Sequence, residues 1–126
     1  MGELRHLKSV LVVEDEGLIR MDLEDTLRSA GVGTVIGVGT LANAFAAVEQ
    51  AMPDAVVLDL HLGREGWSFD FAKRLKSLEL AFLFSAGSPH TPEGFENVPL
   101  LIKPFSGEQL VTALRAITAP PTEAAQ

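Results

Sequence analysis

Four short apolar runs in this chain each stop on a polar side chain, and that repeated ending constrains the fold more than any other feature. Val10-Leu11-Val12-Val13 stops on Glu14 and Asp15, Ala55-Val56-Val57-Leu58 on Asp59, Phe82-Leu83-Phe84 on Ser85, and Leu100-Leu101-Ile102 on Lys103. Short runs rich in β-branched and large apolar residues read as strands buried on both faces. Such strands belong to a parallel sheet, whose carboxyl ends lie along one edge. The polar endings would therefore meet on one rim.

Between these runs the apolar period changes from strand to helix. Ile19, Leu23, Leu27 and Ala30 form one helical stripe over Gly17 to Ala30, which Gly31 stops. Thr34 to Val38 is a further short strand, and Thr40 an N-cap for a helix with Leu41, Phe45, Val48 and Met52 inward, ended before Pro53. Leu60 to Trp67 is a glycine-containing loop, and Ser68 stands where a cap would open a helix burying Phe71, Ala72, Leu75 and Leu78. Ala86 to Val98 holds Pro89, Pro92 and Gly94 without a helical stripe and reads mostly as loop. Ser106 to Gln109 is a capping box that opens a last helix with Leu110, Leu114 and Ile117 inward. Residues 1–119 thus form one domain, and 120–126, beginning Pro120-Pro121, read as a frayed tail. Five strands alternating with helices predict an α/β sandwich with the sheet covered on both faces.

Composition narrows the class further. With 126 residues, 47% of them hydrophobic, the chain can bury a sizeable core without staples, and it has no Cys to supply one. Cysteine absence fits a reducing compartment, and the cytoplasm is the expected location. No run is long enough to span a bilayer. Seventeen acids against ten bases, a formal charge of -7, leave no basic stripe for nucleic acid.

The rim chemistry is that of phosphoryl transfer to a carboxylate. It needs a nucleophilic oxygen, a divalent cation and further donors for the phosphoryl oxygens. Asp59 is the candidate nucleophile, since a carboxylate requires no general base. Carboxylates crowded together repel one another, and Mg²⁺, which prefers oxygen ligands, relieves that repulsion. Asp15 and Asp59 would bind it directly and Glu14 through water. Lys103 offers a mobile point charge and Ser85 a neutral hydroxyl. Singly, each has an ordinary explanation: adjacent acids favour the start of the next helix, and a lone Asp or Ser after a strand commonly makes a turn.

Val12-Val13-Glu14-Asp15-Glu16, Pro53 to Asp59, Ser85-Ala86 and Lys103-Pro104-Phe105 together resemble a response regulator receiver domain of two-component signalling, over about Leu7 to Ile117. The resemblance implies a flavodoxin-like fold with strand order 2-1-3-4-5. It implies that Asp59 accepts phosphate from a histidine kinase or histidine phosphotransfer protein, that the His61 carbonyl completes the Mg²⁺ ligands, and that the Ala86 N–H joins Lys103 and Ser85 around the phosphoryl group. It makes His61 and Gly87 the positions that tune dephosphorylation, and it implies a downstream protein partner, with a homodimer left open. Three departures stand out. Gly63 replaces a usual Pro, Leu100 occupies an aromatic switch position, and the short, Pro-rich interval from Ser85 to Lys103 predicts a fourth helix that is short or absent. That interval is similar to a subfamily with a Phe-Ala-Thr-Gly sequence, on whose alignment Ala86 falls at the hydroxyl position; Ser85 remains the favoured assignment.

Two other readings compete. Gly37-Val38-Gly39-Thr40-Leu41-Ala42 fits a loose dinucleotide-binding pattern, with Asp59 about twenty residues beyond it. Alternatively the chain is a pseudo-receiver that binds protein without being phosphorylated. His6, His61 and His90 are too scattered for a zinc site, and Trp67 and the seven Phe are expected to fill or edge the core.

Overall fold

The computed structural model describes residues 2–119, so the expected frayed tail at 120–126 lies outside the described residues. Strands β1 (Ser9–Val13), β2 (Thr34–Val38), β3 (Ala55–Asp59), β4 (Ala81–Ala86) and β5 (Leu100–Ile102) form one parallel sheet. Its order is β2-β1-β3-β4-β5, the flavodoxin-like order. Helices α1 (Gly17–Ser29), α2 (Leu41–Gln50), α3 (Phe69–Ser77) and α4 (Gly107–Thr118) cover it. Residues 87–99 carry the chain from β4 to β5 without a helix, as the absence of an apolar stripe predicts. Among the described residues no helix is long and apolar enough to cross a membrane.

Strand alternation divides the core in two. Leu11, Val13, Val56, Leu58, Phe82, Phe84 and Ala86 pack with α2 and α3 on one face. Val10, Val12, Ala55, Val57 and Leu83 pack with α1 and α4 on the other. The segment before β1 joins this second layer: Leu4 and Leu7 are buried there, and the Leu4 N–H donates to the Ala30 carbonyl. Asp54 ties that segment down by accepting from the Lys8 and Ser9 amides at 2.6 and 3.1 Å.

Three local expectations need correction. Met52 is 56% exposed, because α2 ends at Gln50, before it, and Ala44 and Val48 are the residues the helix buries. Trp67 is 58% exposed, stacked on Phe69 at 5.5 Å and edge-on to His61 at 4.9 Å. It follows a glycine turn that returns the chain to α3, so the ring stands over the loop rather than inside the sandwich. Ser68 occupies the first cap position of α3 but makes no capping bond; its hydroxyl points back to β3.

The other caps form as read. The Thr40 hydroxyl accepts from the Asn43 N–H at 3.1 Å. The Ser106 hydroxyl accepts from the Gln109 N–H at 3.0 Å, and the Gln109 side chain accepts from the Ser106 N–H at 2.8 Å. Because this box fixes the start of α4 immediately after the β5 rim, Ser106→Ala should lower unfolding free energy by about 1 kcal/mol in urea denaturation.

Candidate functional site at the carboxyl edge of the sheet

The register of the sheet gathers the polar endings. Val13 lies opposite Leu58 across β1 and β3, so Glu14 and Asp59 leave adjacent strands side by side; Asp59 lies opposite Ser85 across β3 and β4. Glu14, Asp59 and Ser85 are all buried, whereas Asp15 is exposed. Lys103 follows β5, and its backbone N–H donates to the Ala86 carbonyl at 2.8 Å. From there its ammonium donates to Asp59 Oδ2 at 2.9 Å and to Glu14 Oε1 at 3.1 Å. One cation thus holds two buried carboxylates that would otherwise repel.

Each carboxylate is also held by backbone. The Glu16 N–H donates to Glu14 Oε2 at 3.0 Å, and the His61 N–H to Asp59 Oδ1 at 3.2 Å. Glu14, Asp15 and Asp59 each offer an oxygen, all within 4.8 Å of one another. An all-oxygen anionic set of this kind fits a hard divalent cation such as Mg²⁺. Gly63, with φ of +51°, passes so close to Asp15 that an added Cβ would lie 2.5 Å from its Oδ2. A proline could not adopt this backbone conformation.

Ser85 shares the cavity beside the acids, about 340 Å³ and lined also by Glu14, Leu18, Phe105 and Lys103. Ala86 alternates to the opposite face, in the core with Phe84. Strand geometry therefore presents the hydroxyl of Ser85, not the methyl of Ala86, on the side of Asp59. His61 and Gly87 are exposed beside the rim. Leu100 starts β5, packed against the Phe82 and Phe84 layer and away from the acids.

Gly37 and Gly39 lie on the edge strand and in the turn after it, not at the rim centre. Side chains from α1 occupy the space beside them: Glu24 covers Gly37, and an added Cβ at Gly39 would lie 2.9 Å from Arg20 Nη1. These glycines make room for side chains of α1, a packing role. Two contacts at the rim had no signal in the sequence. Arg20 Nη1 donates to the Glu14 carbonyl at 2.7 Å, and Ser68 Oγ to the Asp59 carbonyl at 2.8 Å.

No protein-family profile matches the chain. The transcriptional regulatory protein PdtaR of Mycobacterium tuberculosis is 31% identical over 113 residues, which cover 85% of this chain and 55% of PdtaR. The chain therefore spans about half the length of that curated relative. Among solved structures, SdrG from Sphingomonas melonis Fr1 matches with a TM-score of 0.77 and 36% identity, over 88% of this chain and 96% of SdrG. The response regulator REC domain of Erythrobacter litoralis PhyR matches with a TM-score of 0.76 and 27% identity, over 91% of this chain and 95% of that domain. The chain belongs to the response regulator receiver domains.

As a receiver, this domain is a signalling module whose rim electrostatics can be read from its charges. Burial raises the Glu14 carboxyl above its ordinary value of 4.5, and the Asp59 charge adds to that, while the Glu16 amide and Lys103 pull the other way. Burial also works against the Lys103 ammonium, but its bonds and charge interactions with Asp59 and Glu14 outweigh it and hold the amine above its ordinary value.

A carboxyl raised by folding gives stability that is fully present at low pH and is lost as pH rises through its folded value. Removing the ammonium should deepen that loss. Lys103→Met is expected to cost about 1.5–3 kcal/mol at neutral pH in metal-free buffer. The deficit, followed by urea denaturation, should shrink as pH is lowered through the raised Glu14 value toward 4.5.

Proposed function

We propose that this receiver accepts a phosphoryl group on Asp59 from a histidine kinase or histidine phosphotransfer protein, in the presence of Mg²⁺, and thereby changes its affinity for a downstream protein. The observation that carries this reading is the Lys103 ammonium bridging Asp59 and Glu14, within a triad of acids that converge on one point.

An Asp59 carboxylate oxygen attacks phosphorus while the bond from phosphorus to the donor imidazole nitrogen breaks, and the freed imidazole takes up a proton. Asp15 and Asp59, with the His61 carbonyl and Glu14 through water, are the groups that would hold Mg²⁺. When bound, Mg²⁺ neutralises charge on the phosphoryl oxygens. Lys103 supplies a second positive charge, and the Ser85 hydroxyl and Ala86 N–H supply neutral donors. His61 and Gly87, exposed at the mouth, set the access of water to the acyl phosphate and so its lifetime.

The modification adds negative charge at Asp59, one of the two carboxylates that Lys103 already contacts. The amine is drawn toward the new oxygens, and Glu14 loses part of its partner. Since Lys103 follows Ile102 directly, this pull acts on β5 and on the Pro104-Phe105 turn. Leu100 has no hydroxyl to form a rotating hydrogen-bonded switch, so the displacement of β5 carries the change to the surface around 86–105. The partner equilibrium then shifts by the difference in affinity between the two states.

Incubation with acetyl phosphate and Mg²⁺ should add one phosphate by intact-mass spectrometry, while Asp59→Asn stays unmodified. An unmodified but folded wild type would remove the reading. Mg²⁺ should also raise the melting temperature of the wild type, and Asp15→Ala should abolish most of that rise.

A further inference from the structure

We infer that Ser68 is a positioning residue for the acceptor, an inference that rests on the proposed role of Asp59. Ser68 is 0% exposed, nine residues beyond Asp59 in the chain and on the far side of the loop that follows it. As the N-cap residue immediately before α3, it is expected to cap that helix with its hydroxyl, yet no side-chain capping bond is made. Instead Ser68 Oγ donates to the Asp59 carbonyl at 2.8 Å, with the Leu60 carbonyl at 3.2 Å as second acceptor. The Ser68 N–H also donates to the Leu60 carbonyl, at 3.0 Å.

The placement matters because the sheet stops holding the chain at this point. The Leu60 N–H still donates to the Ser85 carbonyl, but β3 itself ends at Asp59. A buried carbonyl left without a donor is costly, and here a side chain supplies the donor where the ladder runs out. Beyond it the loop closes on itself, with the Leu62 N–H donating to the Gly66 carbonyl at 2.8 Å and a bridge between His61 and Trp67. Ser68 therefore pins the base of a closed loop whose His61 amide holds Asp59 Oδ1. Rotation of the Asp59 to Leu60 peptide would move that amide, the carboxylate it orients and the His61 carbonyl together. The Ser68 hydroxyl resists this rotation without touching the reacting atoms.

Ser68→Ala removes the donor without adding bulk. In the metal-free protein, amide hydrogen exchange at His61 should accelerate at least tenfold over wild type, whereas the β1 amides keep their protection. The rate of phosphorylation by acetyl phosphate at saturating Mg²⁺ should fall at least fivefold, and the Mg²⁺ midpoint for that reaction should rise severalfold. Asp54→Ala, which removes the acceptor for the Lys8 and Ser9 amides at the opposite edge of the sheet, controls for general loss of stability and should leave the phosphorylation rate within twofold of wild type. Should Ser68→Ala fail to fold, Ser68→Cys, with a weaker donor of similar shape, is expected to give an intermediate exchange rate. The inference is overturned if a folded Ser68 variant exchanges at His61 and is phosphorylated within twofold of wild type. It is equally overturned if Asp54→Ala lowers the rate as much. A wild type that takes no phosphate would instead sink the acceptor reading, while the exchange result would still decide whether Ser68 holds the loop.

Discussion

The site depends on one ammonium held between two buried carboxylates. Glu14 and Asp59 arrive on neighbouring strands because β1 and β3 are parallel and in register, so their proximity follows from the fold rather than from attraction between them. Burial and like charge both oppose their ionisation, and Lys103, 28% exposed, is placed by β5 to offset them. An arrangement that balances two anions with one cation is poised to respond when charge is added. That connects the stability of the rim to its proposed use as a phosphoryl acceptor.

Everything nearby limits how far this cluster can relax. Arg20 holds the Glu14 carbonyl, the Glu16 amide holds its carboxylate, and Gly63 lets the loop after β3 run against Asp15. Glu65 extends the same loop to α2 by accepting from the Leu41 N–H at 2.9 Å. Loops at a rim are usually the mobile part of a fold. Here the loop after β3 is tied at its base, its middle and its tip, so Asp59 sits on a preorganised support.

The alternation of apolar runs with helical stripes was enough to read the sheet, its parallel sense and the polar rim, because burial on both faces demands uninterrupted apolar strands. The missing fourth crossover helix was legible for a similar reason, since Pro89, Pro92 and Gly94 leave no stripe to bury. The family resemblance supplied the strand order, and the observed topology bears it out. What could not be read were contacts set by three-dimensional closure. Leu4 and Leu7 sit among charges in a segment without a period, yet fill the layer under α1 and α4. Ser68 carries the local signature of a helix cap, and only the return of the loop brings the Asp59 carbonyl within its reach. Met52 continues the stripe of α2 on paper, but the helix has ended before it. Trp67 has the composition of a core residue and the position of a loop residue, and position prevailed.

The most direct measurement is to locate the modified atom. After reaction with acetyl phosphate and Mg²⁺, borohydride reduction converts an acyl phosphate on aspartate into homoserine, which tandem mass spectrometry of peptides assigns to a sequence position. The account predicts homoserine at position 59 alone. Homoserine at position 15 instead, or none in folded protein under these conditions, would contradict it.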